Sequence, residues 1–92
     1  MAPKKEKIKE VKDLNDYEEE LQSAGEKLVV ADFTAKWCGP CHRMTPVLDS
    51  LSLKYPDVVF LKVDVDRCKD VQNVENVSSM PTFIFYKEKV VF

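Results

Sequence analysis

Two hydrophobic rhythms alternate along the chain. Leu28 to Ala35 reads L-V-V-A-D-F-T-A, a nearly unbroken apolar run rich in β-branched residues. It is too short for a capped helix and predicts a strand buried on both faces, hence a sheet covered by helices on each side. Val58 to Val65 (V-V-F-L-K-V-D-V) and Thr82 to Tyr86 (T-F-I-F-Y) repeat the pattern. Between the first two runs, Met44, Val47, Leu48, Leu51 and Tyr55 recur at helical spacing. They predict an amphipathic helix from about Pro40 to Tyr55, kinked at Pro46 and ended by Pro56-Asp57.

The weaker signals fill in the remaining elements. Ile8 to Val11 is a candidate edge strand. Asp13 can cap a helix with Leu14, Tyr17 and Leu21 on its inner face, and Gly25 can stop it. Asp66 is the predicted cap of a short helix carrying Cys68, Val71 and Val74 on its core side. Ser78-Ser79-Met80-Pro81 reads as a loop, Lys87-Glu88-Lys89 as a turn, and Val90-Val91-Phe92 as the start of a last strand. The order β-α-β-α-β-α-β-β predicts an α/β layer structure around a central sheet.

Composition narrows the class. Ninety-two residues, 45% hydrophobic and 33% charged with only 2 glycines, fit one compact globule rather than a disordered chain. The expected organisation is a flexible basic N-terminus over residues 1–7 and one domain over 8–92. A net charge of −2 gives no electrostatic case for nucleic acid or an anionic membrane, despite Lys4, Lys5, Lys7, Lys9 and Lys12 near the start. No apolar run is long enough for a membrane helix, and the first residues contain no secretory signal, so a cytoplasmic protein is expected. Three cysteines do not make a secreted disulfide framework. In a reducing compartment a close pair is more often catalytic or metal-binding.

That pair lies in W-C-G-P-C-H, residues 37–42. The spacing serves a reversible dithiol, half of a zinc site, or, with His42, attachment of a c-type haem. Zinc needs four ligands, and the remaining Cys68 falls on another predicted helix. Haem could take Met80 as an axial ligand. However, the motif follows a buried strand and Met80 precedes Pro81. Position favours the dithiol. Cys38 and Cys41 share one face of a first helical turn, Pro40 suits the first helical position, and Gly39 permits a tight approach. Free N–H groups and the helix dipole then favour a thiolate on Cys38, the nucleophile of thiol–disulfide exchange. Asp32, a carboxyl inside an apolar strand, should have a raised pKa suited to accepting a proton, unless it pairs with Lys62. His42 reads as an exposed helix residue.

Taken together, V-V-A-D-F-T-A-K-W-C-G-P-C, the helix with Pro46, F-L-K-V-D-V-D and M-P-T-F-I-F-Y resemble the thioredoxin family over about residues 8–92. The resemblance implies the thioredoxin fold, a central mixed β-sheet flanked by helices on both faces. It implies that Cys38 attacks a substrate disulfide, that Cys41 resolves the mixed disulfide, and that Asp32 helps move the Cys41 proton. Pro81 would be a cis-proline facing the dithiol, the Met80 backbone would pair with extended substrate, and Trp37 would shape the docking surface. Cys68 matches a position where some members hold an extra, regulatory cysteine; its plain reading is a small buried hydrophobe. Implied partners are disulfide-containing proteins and an NADPH-dependent thioredoxin reductase, with no cofactor and no metal.

Against the family pattern, the chain stops at Phe92, where a longer last strand and a C-terminal helix are expected. A C-terminally truncated sheet should leave apolar surface open around Phe83, Phe85 and the helix from Met44 to Leu51, with a free edge near Val90. A complete protein is then expected to be a monomer, and a truly shortened one to associate through that face. Two functions follow as expectations: a protein-disulfide reductase, or a redox-dependent binding module of the same fold.

Overall fold

The computed structural model describes residues 8–91; the basic segment 1–7 and Phe92 lie outside the described residues. The elements run β1 (Ile8–Glu10), α1 (Leu14–Ser23), β2 (Leu28–Thr34), α2 (Gly39–Lys54), β3 (Val59–Asp64), α3 (Lys69–Glu75), β4 (Thr82–Lys87) and β5 (Val90–Val91). This is the predicted order, with bounds shifted by a residue or two.

The sheet order is β1-β3-β2-β4-β5. β3 runs parallel to both β1 and β2, while β4 is antiparallel to β2 and to β5. The apolar run that predicted a strand buried on both faces is thus the central strand, and five of its seven residues are buried. Its alternation feeds two cores. Val29, Ala31 and Phe33 join the larger cluster, under α1 and α3, with Tyr17, Leu61, Val63 and Val71. Val30 joins Leu48 and Phe60 in a smaller cluster under α2.

Local signals account for the helix ends. The Asp13 carboxylate accepts from the Asp16 N–H at 2.8 Å and starts α1. Gly25, at φ +60°, follows the Ala24 cap and lets the chain leave α1 in the left-handed region. Pro46 lies inside α2 and removes the N–H that the His42 carbonyl would otherwise receive.

Three sequence expectations are corrected. Asp66 does not cap α3; Cys68 stands at that cap, and the Asp66 carboxylate is engaged elsewhere. Val74 is exposed rather than core-facing, because α3 is short and its inner turn is filled by Val71. On α2, Val47 and Tyr55 are also exposed, so the apolar stripe is wider than the surface it covers.

The two faces of the sheet are unequally filled. The larger core holds a buried hydroxyl pair, Tyr17 Oη and Tyr86 Oη at 2.9 Å, with the Tyr17 ring edge-on to Phe33. Burial pushes both phenols well above the ordinary tyrosine range, so they stay neutral hydrogen-bonding groups. The α2 face instead carries an open apolar groove of about 360 Å³, bounded by Met44, Leu51, Tyr55, Phe83 and Phe85 over Val30 and Phe60. This is where the sequence predicted uncovered surface. At the adjacent edge, Val90 and Val91 are exposed.

Candidate active site

The site grows from the C-terminal end of the central strand. After Thr34 the chain makes a short loop, held by Val65 N–H donating to the Thr34 carbonyl (2.9 Å) and Cys38 N–H donating to that of Ala35 (3.1 Å). Cys38 is then the N-cap of α2, with extended backbone at φ −91° and ψ 106°. Its Sγ accepts from the Cys41 N–H at 3.2 Å, which satisfies one of the donors that every helix start leaves free. Gly39 is the first helical residue and Pro40 the second, one place later than the sequence suggested. A side chain at Gly39 would meet no atom within 4 Å, so the approach into the helix does not depend on its lack of one.

Cys38 and Cys41 are joined in a disulfide, with their Cα atoms 5.3 Å apart. Both are buried. The bond closes within one helical turn, as i and i+3 neighbours permit.

Asp32 stands on β2 two residues before the loop and is 8% exposed. By strand alternation it shares the α2 side of the sheet with Val30. Burial pushes its carboxyl up to about 6, and the charge of Lys62, its register neighbour on β3, pulls back against that rise. No salt bridge joins the two among the described residues. Desolvation therefore outweighs the lysine.

Met80–Pro81 is a cis peptide. Pro81 immediately precedes β4, whose Thr82 lies opposite Phe33. The antiparallel pairing brings the start of β4 to the end of β2, so the Met80-Pro81 loop and the cysteine loop leave the sheet at the same end. Met80 packs against the cluster that contains Cys38 and Cys41. The Thr82 hydroxyl donates to the Ser79 carbonyl and closes the loop.

Trp37 is 67% exposed, yet its indole is tethered: Nε1–H donates to an Asp66 carboxylate oxygen at 2.9 Å. Asp66 is positioned in turn by its own N–H donating to Asp64 Oδ1 at 2.9 Å. The sequence reading missed this role for Asp66, and no local pattern marks it, since the two residues are 29 apart. Cys68 is fully buried, and its Sγ donates to the Val11 carbonyl at 3.3 Å. Burial, then the nearby Asp70 charge, push that thiol up, away from the reactive thiolate form. His42 is exposed as expected, but its Nε2 lies 2.7 Å from the Lys36 carbonyl oxygen. Its ring borders a small polar cavity of about 130 Å³ with Thr34, Thr45, Lys62 and Asp64.

A disulfide-linked cysteine pair stands at a helix start, a cis-proline loop leaves the same end of the sheet, and a buried carboxyl lies on the central strand; the comparisons with known proteins agree on the family. A family model described as Thioredoxin matches residues 7–91. The chain belongs to the thioredoxin family. It is 53% identical over 81 residues to the thioredoxin of Equus caballus, covering 88% of this chain and 77% of that one. Gallus gallus thioredoxin is 54% identical over 80 residues, covering 87% and 76%. Among solved structures, a thioredoxin from Nicotiana alata superposes with a TM-score of 0.90 at 36% identity, covering 100% of this chain and 82% of that one. Schistosoma mansoni thioredoxin gives 0.87 at 44% identity, covering 95% and 80%. As a thioredoxin-family protein the chain is a thiol–disulfide oxidoreductase, and its adjacent cysteine pair supports disulfide-reductase activity. Protein disulfides and a reductase are the partners that this family implies in general. Among the described residues no helix is long and apolar enough to cross a membrane.

Proposed function

We propose that this member of the thioredoxin family is a cytoplasmic protein-disulfide reductase with Cys38 as nucleophile and Cys41 as resolving thiol. The observation that carries the assignment is the Cys38 position, at the N-cap of α2 with the Cys41 N–H aimed at its sulfur. Once the pair is reduced, that donor and the positive end of the helix dipole stabilise a thiolate on Cys38 rather than on Cys41.

The Cys38 thiolate attacks one sulfur of a substrate disulfide. That bond breaks, a mixed disulfide forms, and the other substrate sulfur leaves as a thiolate that takes a proton. Cys41 then gives its proton to Asp32 and attacks the Cys38 sulfur. The second substrate thiolate is released, and the Cys38–Cys41 disulfide forms. Two electrons pass from the dithiol to the substrate. Asp32 suits its part because burial gives it appreciable proton affinity near neutrality. Extended substrate would pair with the Met80 backbone ahead of the cis-Pro81, beside the Trp37 ring that Asp66 holds in place. An NADPH-dependent thioredoxin reductase would restore the dithiol.

The test is insulin-disulfide reduction coupled to such a reductase. Cys38→Ser should abolish NADPH consumption, and Cys41→Ser should accumulate a mixed disulfide with substrate. Full turnover by Cys38→Ser would reject the assignment. A second reading, a module that docks a partner in a redox-dependent way, draws on the open apolar groove beside α2. A redox titration of the pair with turnover measured on the same sample separates the two.

A further inference from the structure

The exchange chemistry gives roles to Trp37, Cys38 and Cys41 of W-C-G-P-C-H, and none to His42. His42 is exposed, and an exposed side chain has no need of a fixed partner; yet its Nε2 lies 2.7 Å from the Lys36 carbonyl oxygen. That carbonyl belongs to the loop between β2 and α2, and His42 is the fourth residue of α2. The contact therefore closes a ring that spans Trp37 to Cys41 and contains Cys38. Backbone bonds bracket the same stretch: Cys38 N–H to Ala35 O at 3.1 Å, and His42 N–H to Cys38 O at 3.3 Å. The Cys38 residue between them is the one whose Sγ must stay over the Cys41 N–H.

We propose that His42 is a positioning residue for the nucleophile. Its bond to the Lys36 carbonyl fixes the loop against the first turn of α2 and keeps the Cys38 sulfur in register with the helix start. The proposal rests on the reading of Cys38 as the attacking thiolate.

A carbonyl oxygen only accepts, so Nε2 carries the hydrogen and Nδ1 is left to gain or lose a proton. The bond survives in both states of the ring. Its effect on Cys38 is therefore independent of the His42 charge, although charged groups surround the ring. Glu10, Lys36, Lys62 and Asp64 line the same polar cavity, and Arg67 pairs with Glu10 at 3.8 Å. This independence separates positioning from electrostatic tuning.

The experiment measures iodoacetamide alkylation of reduced Cys38 between about pH 4 and pH 9, where the rate follows the thiolate fraction. Wild type, His42→Ala and His42→Gln are compared, with thermal melting of each. Loss of one such hydrogen bond should slow alkylation of His42→Ala in the acid range by about two- to ten-fold. His42→Gln, whose amide N–H can reach the same carbonyl, should restore most of the rate at every pH. Unchanged rates in His42→Ala overturn the proposal, whether or not its melting temperature falls. Failure of His42→Gln to restore the rate also overturns it, since the effect would then belong to the imidazole charge. If wild type does not label selectively at Cys38, the nucleophile assignment itself fails, and that result is distinguishable from the other two.

Discussion

Replacing Asp32 by Asn should stabilise the oxidised protein, and the gain should depend on pH in a defined way. The carboxyl is 8% exposed and lies on the central strand, where burial raises its pKa from an ordinary 3.8 to about 6. The folded state therefore holds the Asp32 proton more tightly than the unfolded state does. Stability is greatest when both states are protonated, falls as pH rises from 3.8 to about 6, and is constant above that. The full penalty is the difference of about two pKa units, or about 3 kcal/mol. An amide has nearly the same shape and no charge to desolvate. Asp32→Asn should thus exceed wild type by about 3 kcal/mol at pH 7.5 and by only about 0.5 kcal/mol at pH 4. Urea unfolding of both oxidised proteins at the two pH values measures this, because every other titrating group is common to the pair. A difference that does not change with pH, or an Asn variant less stable at pH 7.5, would refute the argument that desolvation dominates over Lys62.

Other consequences are as direct. Asp32→Asn should also slow discharge of the mixed disulfide by on the order of 100-fold, seen as its accumulation in quenched samples, while the initial attack by Cys38 changes little. Gly25→Ala should cost about 1–2 kcal/mol in thermal or urea unfolding, because the left-handed backbone there is strained by any Cβ although nothing crowds it; Gly25→Asn should cost less. Tyr17→Phe should cost about 1 kcal/mol by removing the buried hydroxyl pair, and adding Tyr86→Phe on that background should cost less than Tyr86→Phe alone. The α2 groove should enhance the fluorescence of an apolar dye, and Phe85→Lys, at a half-open position on its rim, should reduce the signal without lowering the melting temperature; equal signals would place the dye elsewhere.

β2, β3 and β4 were legible because they are long apolar runs, and because a strand covered on both sides has no polar face to blur the pattern. The dithiol was legible because its residues are neighbours in sequence. The open groove at Phe83, Phe85 and Met44 was anticipated only by comparison with the family pattern, not from those residues themselves. What the sequence hid was non-local or conformational. Asp66 looked like a helix cap, since Asp is a good one, but it is drawn to the Trp37 indole from a strand away. Val74 fitted the helical rhythm, but a helix of 7 residues has room for only one deep inward position. His42 is exposed as its pattern implies, but the carbonyl its ring meets lies six residues back, where the loop brings it and no local pattern marks it.

The antiparallel pairing of β2 with β4 sets the order in which this molecule can become competent. Cys38 lies only four residues beyond the end of β2, but the Met80-Pro81 loop comes to that end of the sheet only when Thr82 docks opposite Phe33, 49 positions earlier in the chain. A nascent chain that has emerged through α2 already carries both thiols, without the cis-proline loop that leaves the same end of the finished sheet. Both cysteines are therefore made before the strand pair that brings the Met80-Pro81 loop to their end of the sheet, and β4 must be in place before the two loops can act together.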